Sequence, residues 1–212
     1  MVWRAEVLDT PPDGSCFFTA IAMAMNDSIE LWYAIDDLRI PMEHYWKMYK
    51  KDTNKELNEV TPDLVRFMCA VNVDEIILEK YNAEARYRKE TETARAQIFQ
   101  NSAQLGNYMR KKTTWGDHAS FHSFLKSLDY NCAVIVFDAD VGGMTYLPHE
   151  WAKNKKVYIC LRRKRNHYGV VRLHKRNKPK GLCLTRDTML DFVRSVHTNL
   201  PNTDTFLGVE AF

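Results

Sequence analysis

Asp13-Gly14-Ser15-Cys16-Phe17-Phe18-Thr19-Ala20-Ile21-Ala22-Met23-Ala24-Met25 is the stretch whose reading governs the rest of the chain. Pro11 and Pro12 stiffen its approach, and Asp13-Gly14 is a strong turn signal. Beyond Cys16 the residues are mostly good helix formers, apolar on most faces, which is the pattern of a buried helix. A single cysteine therefore falls where a tight turn feeds the first turn of a core helix. The first N–H groups of a helix have no intrahelical partner, and the dipole makes that end partly positive. A thiolate is favoured in such a place. The same N–H groups, with those of the glycine turn, can point at a carbonyl oxygen as it gains charge. The tetrapeptide by itself also fits a small buried hydrophobe beside an ordinary turn.

Composition narrows the class. A chain of 212 residues is long enough for one sizeable core. Its apolar and charged fractions are those of an ordinary globular protein. A net charge of +3 is too small to imply a polyanionic partner. The five cysteines, at 16, 69, 132, 160 and 183, are scattered, odd in number and form no C-x-x-C pair. That argues against a disulfide framework or a cysteine zinc site and suits a reducing compartment. The apolar run 17–25 is too short to span a bilayer, and Glu6, Asp9 and Asp13 precede it where a signal peptide needs positive charge. The expectation is a soluble, cytoplasmic protein with no membrane association, no cofactor and no metal.

Along the chain, residues 2–8 alternate loosely and predict a short strand. After the Cys16 helix, Asn26-Asp27-Ser28 is a break, and a second helix is expected through about Arg39, ended by Ile40-Pro41. Met42, Tyr45, Trp46 and Tyr49 predict a third helix. Thr61-Pro62 is an N-cap followed by proline at the first helical position, opening a helix that buries Leu64, Val65, Phe67 and Met68. Residues 73–112 are the most charged part and read as a helical insertion or arm with a solvated face from 83 to 95. Asp117 can cap a helix burying Phe121, Phe124, Leu125 and Leu128. Residues 132–137 and 157–161 read as strands buried on both faces, and 168–173 as a third strand. Helices first and strands later predict an α+β core. Thr185 to Val196 reads as a terminal amphipathic helix.

His167 stands at the start of the last of these strands, after a polar loop. It is rigidly placed there and within reach of solvent. An imidazole so placed is a natural base for a distant thiol, taking its proton and returning it to a leaving amine. Cysteine early and histidine late is an order that cysteine hydrolases use. His118 and His122, at i and i+4, have a spacing that can bind zinc, but no glutamate follows His118 and no third ligand is evident. Residues 162–180 hold nine lysines or arginines and no acid, a basic stripe that can track phosphates or face an acidic protein surface.

Taken together, Asp13-Gly14-Ser15-Cys16-Phe17-Phe18, then Trp115-Gly116-Asp117 opening a helix, then an apolar strand and Asn166-His167-Tyr168, resemble the ovarian tumour (OTU) family of cysteine proteases, whose members are deubiquitinases. The resemblance covers roughly residues 5–173. It implies a papain-related fold with a small, mostly antiparallel central sheet flanked by helices. On this likeness residues 1–175 form the protease domain, with 73–112 as its arm and 176–212 as a C-terminal basic segment and helix. Cys16 would be the nucleophile and His167 the general base. Asp13 would act at the catalytic site, and Gly14 and Ser15 would help shape the oxyanion loop. Trp115 and Tyr168 would line a narrow substrate channel. The partner would be ubiquitin or a ubiquitin-like protein bound by a monomer. Divergent members occur in viruses and as bacterial effectors, which would place the chain in a host cytoplasm.

One position departs from the pattern. The family usually has Asp or Asn two residues after the histidine, on the same strand face; here it is Gly169. The orienting group would then be Asn166, an acid such as Asp9 or Asp138, water, or nothing. Gly169→Asp is expected to fold normally and turn over as fast or faster, unless another residue already fills that role. The alternatives to an active enzyme are a catalytically weak or inactive OTU-like module that binds ubiquitin, or one that binds RNA through the basic stripe.

Overall fold

In a computed structural model the chain is described over residues 3–91, 97–140, 142–147 and 155–196. Its element order is β1 (Trp3–Leu8), α1 (Cys16–Asp27), α2 (Ile29–Tyr33), α3 (Asp36–Thr53), α4 (Pro62–Val71), α5 (Glu75–Thr91), α6 (Ser102–Met109) and α7 (His118–Ser127), followed by β2 (Cys132–Asp138), β3 (Gly143–Leu147), β4 (Val157–Lys164), β5 (His167–Lys175), β6 (Lys178–Pro179), β7 (Cys183–Thr185) and α8 (Arg186–Val196). The fold is α+β. One mixed sheet runs β1-β5-β4-β2-β3, with β6 added to β5 and β7 to β4. Among the described pairings only β2–β4 is parallel.

Alternation along the strands divides the core into two layers. Cys132, Val134 and Val136 of β2, Val157, Ile159 and Leu161 of β4, and Tyr168 and Val170 of β5 pack with α1, α4 and α7. Ala133, Ile135, Tyr158, Cys160, Val171 and Leu173 turn the other way, against Met189, Leu190, Phe192 and Val193 of α8. This is why β2 and β4 read as continuous apolar runs: helices cover both of their faces. The C-terminal segment joins the same sheet. Val157 pairs with Thr185, and Ile159 with Cys183.

Several elements differ from the sequence reading. Pro41 does not end a helix but lies inside α3, and the break comes earlier, at Ala34–Ile35. Proline removes one intrahelical hydrogen bond. The stripe of Leu38, Met42 and Tyr49 is buried on both sides of it, and that burial keeps the helix continuous. The charged region is not simply a solvated arm. α5 buries Ile77 and Leu78 in the main core, and Asn82 holds Phe99 through both its amide groups, at 2.8 and 3.0 Å. Helix α6 and strands β3, β6 and β7 carry no clear pattern of their own. They form because a neighbour offers an apolar face or an unpaired edge. The helix caps are as expected. Thr61 Oγ accepts from the Leu64 N–H at 3.2 Å, and Asp117 makes a capping box with Ser120. Residues 92–96, part of the charged run, lie outside the described residues.

Candidate active site

The turn before α1 is built from local chemistry. Asp13 Oδ1 accepts the Ser15 N–H at 2.8 Å, an Asx turn. Gly14 adopts φ +80°, a left-handed conformation that costs a side-chain-bearing residue about 1–2 kcal/mol. A Cβ there would also lie 3.2 Å from Nε1 of the Trp115 indole. The helix opens at Cys16 with no side-chain cap. Phe17 and Phe18 anchor it below, Phe17 against Phe121 and Tyr168. Gly116 lies so close under this helix that a Cβ would come 2.4 Å from that of Phe17.

The opposite wall is the β4–β5 hairpin. The Cys16 thiol points at the backbone carbonyl of Asn166, with Sγ 3.8 Å from the oxygen. The next residue is His167, the first of β5. The histidine expected from sequence order thus lies one residue from the group that the thiol touches. Cys16 is 3 % exposed, so the thiol is covered in this arrangement, while the His167 side chain is 30 % exposed.

His167 Nε2 lies 3.2 Å from Asp9 Oδ1. Asp9 follows β1, whose pairing with β5 runs through Leu8↔Val170. The neighbouring Thr10 hydroxyl donates to the buried carbonyl of Tyr168 at 2.6 Å. A carboxylate on Nε2 favours the tautomer with its proton there, leaving Nδ1 free to act as a base. The group that meets the imidazole is therefore Asp9, one of the candidates the sequence offers. Asp138 is directed elsewhere, to Arg163 at 3.4 Å. Asp9 Oδ1 is also 3.4 Å from where a Cβ on residue 169 would stand. The carboxylate of Asp9, just beyond β1, occupies the space that one from position 169 would fill.

Two further expectations change. Tyr168 does not face a channel. Its ring is buried beside Phe17 and Phe121, and burial pushes its hydroxyl up to about 12. Trp115, by contrast, is 54 % exposed next to the Asp13–Ser15 turn. The Ser15 N–H, expected in the oxyanion loop, is bonded to Asp13 instead. A cavity of about 220 Å³ opens beside Arg66, Phe67 and Lys112; Cys16 does not line it.

The basic stripe is not one surface. Arg162–Arg165 and Arg176–Lys180 lie at opposite ends of β5, whose nine residues span roughly 25–30 Å at the usual strand rise. Between them Arg172 is paired with Asp27 and Lys175 with Asp191. His118 and His122 do converge, Nε2 to Nε2 at 3.3 Å, and Glu84 meets His118 Nδ1 at 3.3 Å. Among the described residues no group of three or more His, Cys, Asp or Glu is arranged to hold a metal ion. All five cysteines are free, and among the described residues no helix is long and apolar enough to cross a membrane.

No protein-family model matches the sequence, and none of the curated proteins is significantly similar to it. Solved structures similar to this one include OTU domains. One is an ovarian tumour domain in complex with ubiquitin, 14 % identical, covering 98 % of this chain and 83 % of its own, with a TM-score of 0.49. A viral OTU domain protease from Dera Ghazi Khan virus is 15 % identical over 81 % of this chain and 82 % of its own, at 0.41. An OTU deubiquitinase from Wolbachia pipientis wMel is 13 % identical over 89 % and 96 %, at 0.40.

Proposed function

We propose that this chain is a cysteine deubiquitinase, hydrolysing the isopeptide bond at the C-terminus of ubiquitin or a ubiquitin-like modifier. The observation that carries the reading is the convergence of two distant segments: Cys16 at the mouth of α1, with Asp9 shortly before it, and His167, which lies beside the carbonyl that the thiol touches and meets Asp9 through its imidazole. The substrate class rests on the motif resemblance around these residues.

Asp9 accepts the Nε2–H of His167, and Nδ1 takes the Cys16 proton. The thiolate attacks the glycyl carbonyl, and the oxyanion is met by the amides of Gly14 and Cys16. As the tetrahedral intermediate collapses, the C–N bond breaks and His167 returns the proton to the lysine amine. A water, deprotonated by the same imidazole, then cleaves the thioester and restores the thiol. For the substrate carbonyl to reach Cys16, the Asn166 carbonyl that its thiol meets has to be displaced.

The burial of Cys16 is the observation behind the second reading, a module that binds the modifier without cleaving it. A ubiquitin carrying a cysteine-reactive C-terminal warhead separates the two. An adduct lost in Cys16→Ala and sharply reduced in His167→Ala supports the enzyme. Binding without reaction of the wild type would favour the module.

A further inference from the structure

Arg66 is the most deeply buried charge near the site, 1 % exposed, in the otherwise apolar run Leu64–Val71 of α4. A guanidinium carries five donors in a planar fork and cannot discharge itself at neutral pH, so its burial demands acceptors. Its two terminal nitrogens find them, mostly in backbone that has left regular structure, while Nε has no hydrogen-bond partner among the described residues. Nη1 donates to the carbonyls of Thr114 at 2.7 Å and Lys111 at 3.1 Å, with Met109 further off at 3.5 Å. Nη2 donates to the Lys112 carbonyl at 3.0 Å. These oxygens follow the C-terminal end of α6, where the helix dipole already favours a cation. The fork organises a segment that neither helix nor sheet does.

The same group reaches α1 twice. Its second nitrogen donates to Ser15 Oγ at 2.9 Å, and its plane lies over the Phe18 ring, 4.0 Å from the centroid. Ser15 immediately precedes the nucleophile, and Thr114 immediately precedes Trp115, whose indole bounds Gly14. One side chain is bonded both to the turn before Cys16 and to the segment that leads into Trp115. A lysine cannot do this, because a single ammonium does not span Ser15 and the carbonyls with planar geometry.

We propose that Arg66 is a positioning residue, tying the 109–114 segment to Ser15 so that the Gly14–Cys16 backbone and Trp115 keep the geometry that acylation requires. The inference rests on the hydrolase reading of Cys16, and its test includes a reaction that needs no ubiquitin.

Ser15→Ala removes only the hydrogen bond to α1 and leaves the carbonyl fork, so it is the informative variant; Arg66→Lys and the double variant complete a cycle. In steady-state cleavage of a fluorogenic ubiquitin substrate, Ser15→Ala is expected to lower kcat at least about tenfold with KM within about twofold. Its melting temperature should stay within about 2 °C of wild type. The double variant should be no slower than Arg66→Lys alone, because both changes break one tie. Independently, alkylation of Cys16 by iodoacetamide, mapped by mass spectrometry, should slow at least about fivefold in both single variants. Wild-type kcat in Ser15→Ala, additive losses in the double variant, or unchanged or faster alkylation would each overturn the proposal. If the wild type does not cleave ubiquitin substrates yet alkylation shows the stated dependence, Arg66 positioning stands and the deubiquitinase reading falls.

Discussion

His167 and Asp9, 158 residues apart in sequence, meet through Nε2 and Oδ1 at 3.2 Å. The antiparallel pairing of β1 with β5 brings them together, and the buried Thr10–Tyr168 hydrogen bond holds Asp9's loop beside it. The Asp9 side chain is 75 % exposed, so the pair adds little to stability. Its consequence is orientation of the ring. Asp9→Ala should lower kcat by at least about tenfold, and by less than the roughly 10⁴-fold seen when the orienting acid of a serine triad is altered, because a thiol needs less help to ionise. The melting temperature should not move. Steady-state kinetics beside a thermal melt decide it, and a wild-type kcat would remove Asp9 from the site.

Gly169→Asp now has the opposite expectation from the one the sequence suggested. A Cβ at this position meets the Leu8 carbonyl and Val7 Cγ1 at 3.0 Å, and a second carboxylate would crowd Asp9. Overpacking of this kind costs about 1–3 kcal/mol, or roughly 2–10 °C of melting temperature in a domain of this size. Turnover should fall as well, since like charges compete for one imidazole. An undiminished kcat would show that position 169 can take over from Asp9.

Trp115 tests the channel. It is exposed beside the nucleophile turn, so its removal leaves no core cavity. Trp115→Ala should raise KM for a ubiquitin substrate by about tenfold, a typical loss for one aromatic contact, with kcat changed less. Equal KM would place the substrate tail elsewhere.

Native-state labelling should find one reactive thiol. Burial raises Cys160 and Cys183 to about 12. It pushes Cys69 and Cys132 well above the usual thiol range too. A raised value keeps the thiol protonated, hence unreactive, throughout pH 6–9. Alkylation at neutral pH should therefore map to Cys16, and Cys16→Ala should take up almost no label without denaturant. Label at any other cysteine under native conditions contradicts this burial.

Gly116→Ala probes the contact under α1. The added Cβ would fall 2.4 Å from Phe17 Cβ and 2.5 Å from Cδ1, in a ring cluster with no room to yield. A destabilisation of at least about 1–3 kcal/mol is expected, read by denaturant titration. A wild-type midpoint would mean that the 115–117 segment is free to retreat.

What could be read in the sequence was what neighbouring residues decide. The Asp13-Gly14 turn, the caps at Thr61 and Asp117, the buried face of α7 and the apolar runs of β2 and β4 depend on contacts within a few positions or on simple periodicity. They were enough to place Cys16 at a helix mouth and His167 at a strand start. Pro41 was misread because the stripe of α3 outweighs one lost hydrogen bond. Tyr168 was misread because alternation does not say which side of a strand lines a cleft.

Tertiary structure decided the partners. Arg66 and Ser15 are 51 residues apart, Cys16 and Asn166 150 apart, and no local signal couples residues at such separations. The one clue to Arg66 was a charge inside an apolar helical run, which marks burial but not what it binds. The meeting of Asp9 with His167, the carbonyl laid over the thiol and the splitting of the basic stripe all follow from strand register, which is fixed only when the two faces of the sheet find their helices.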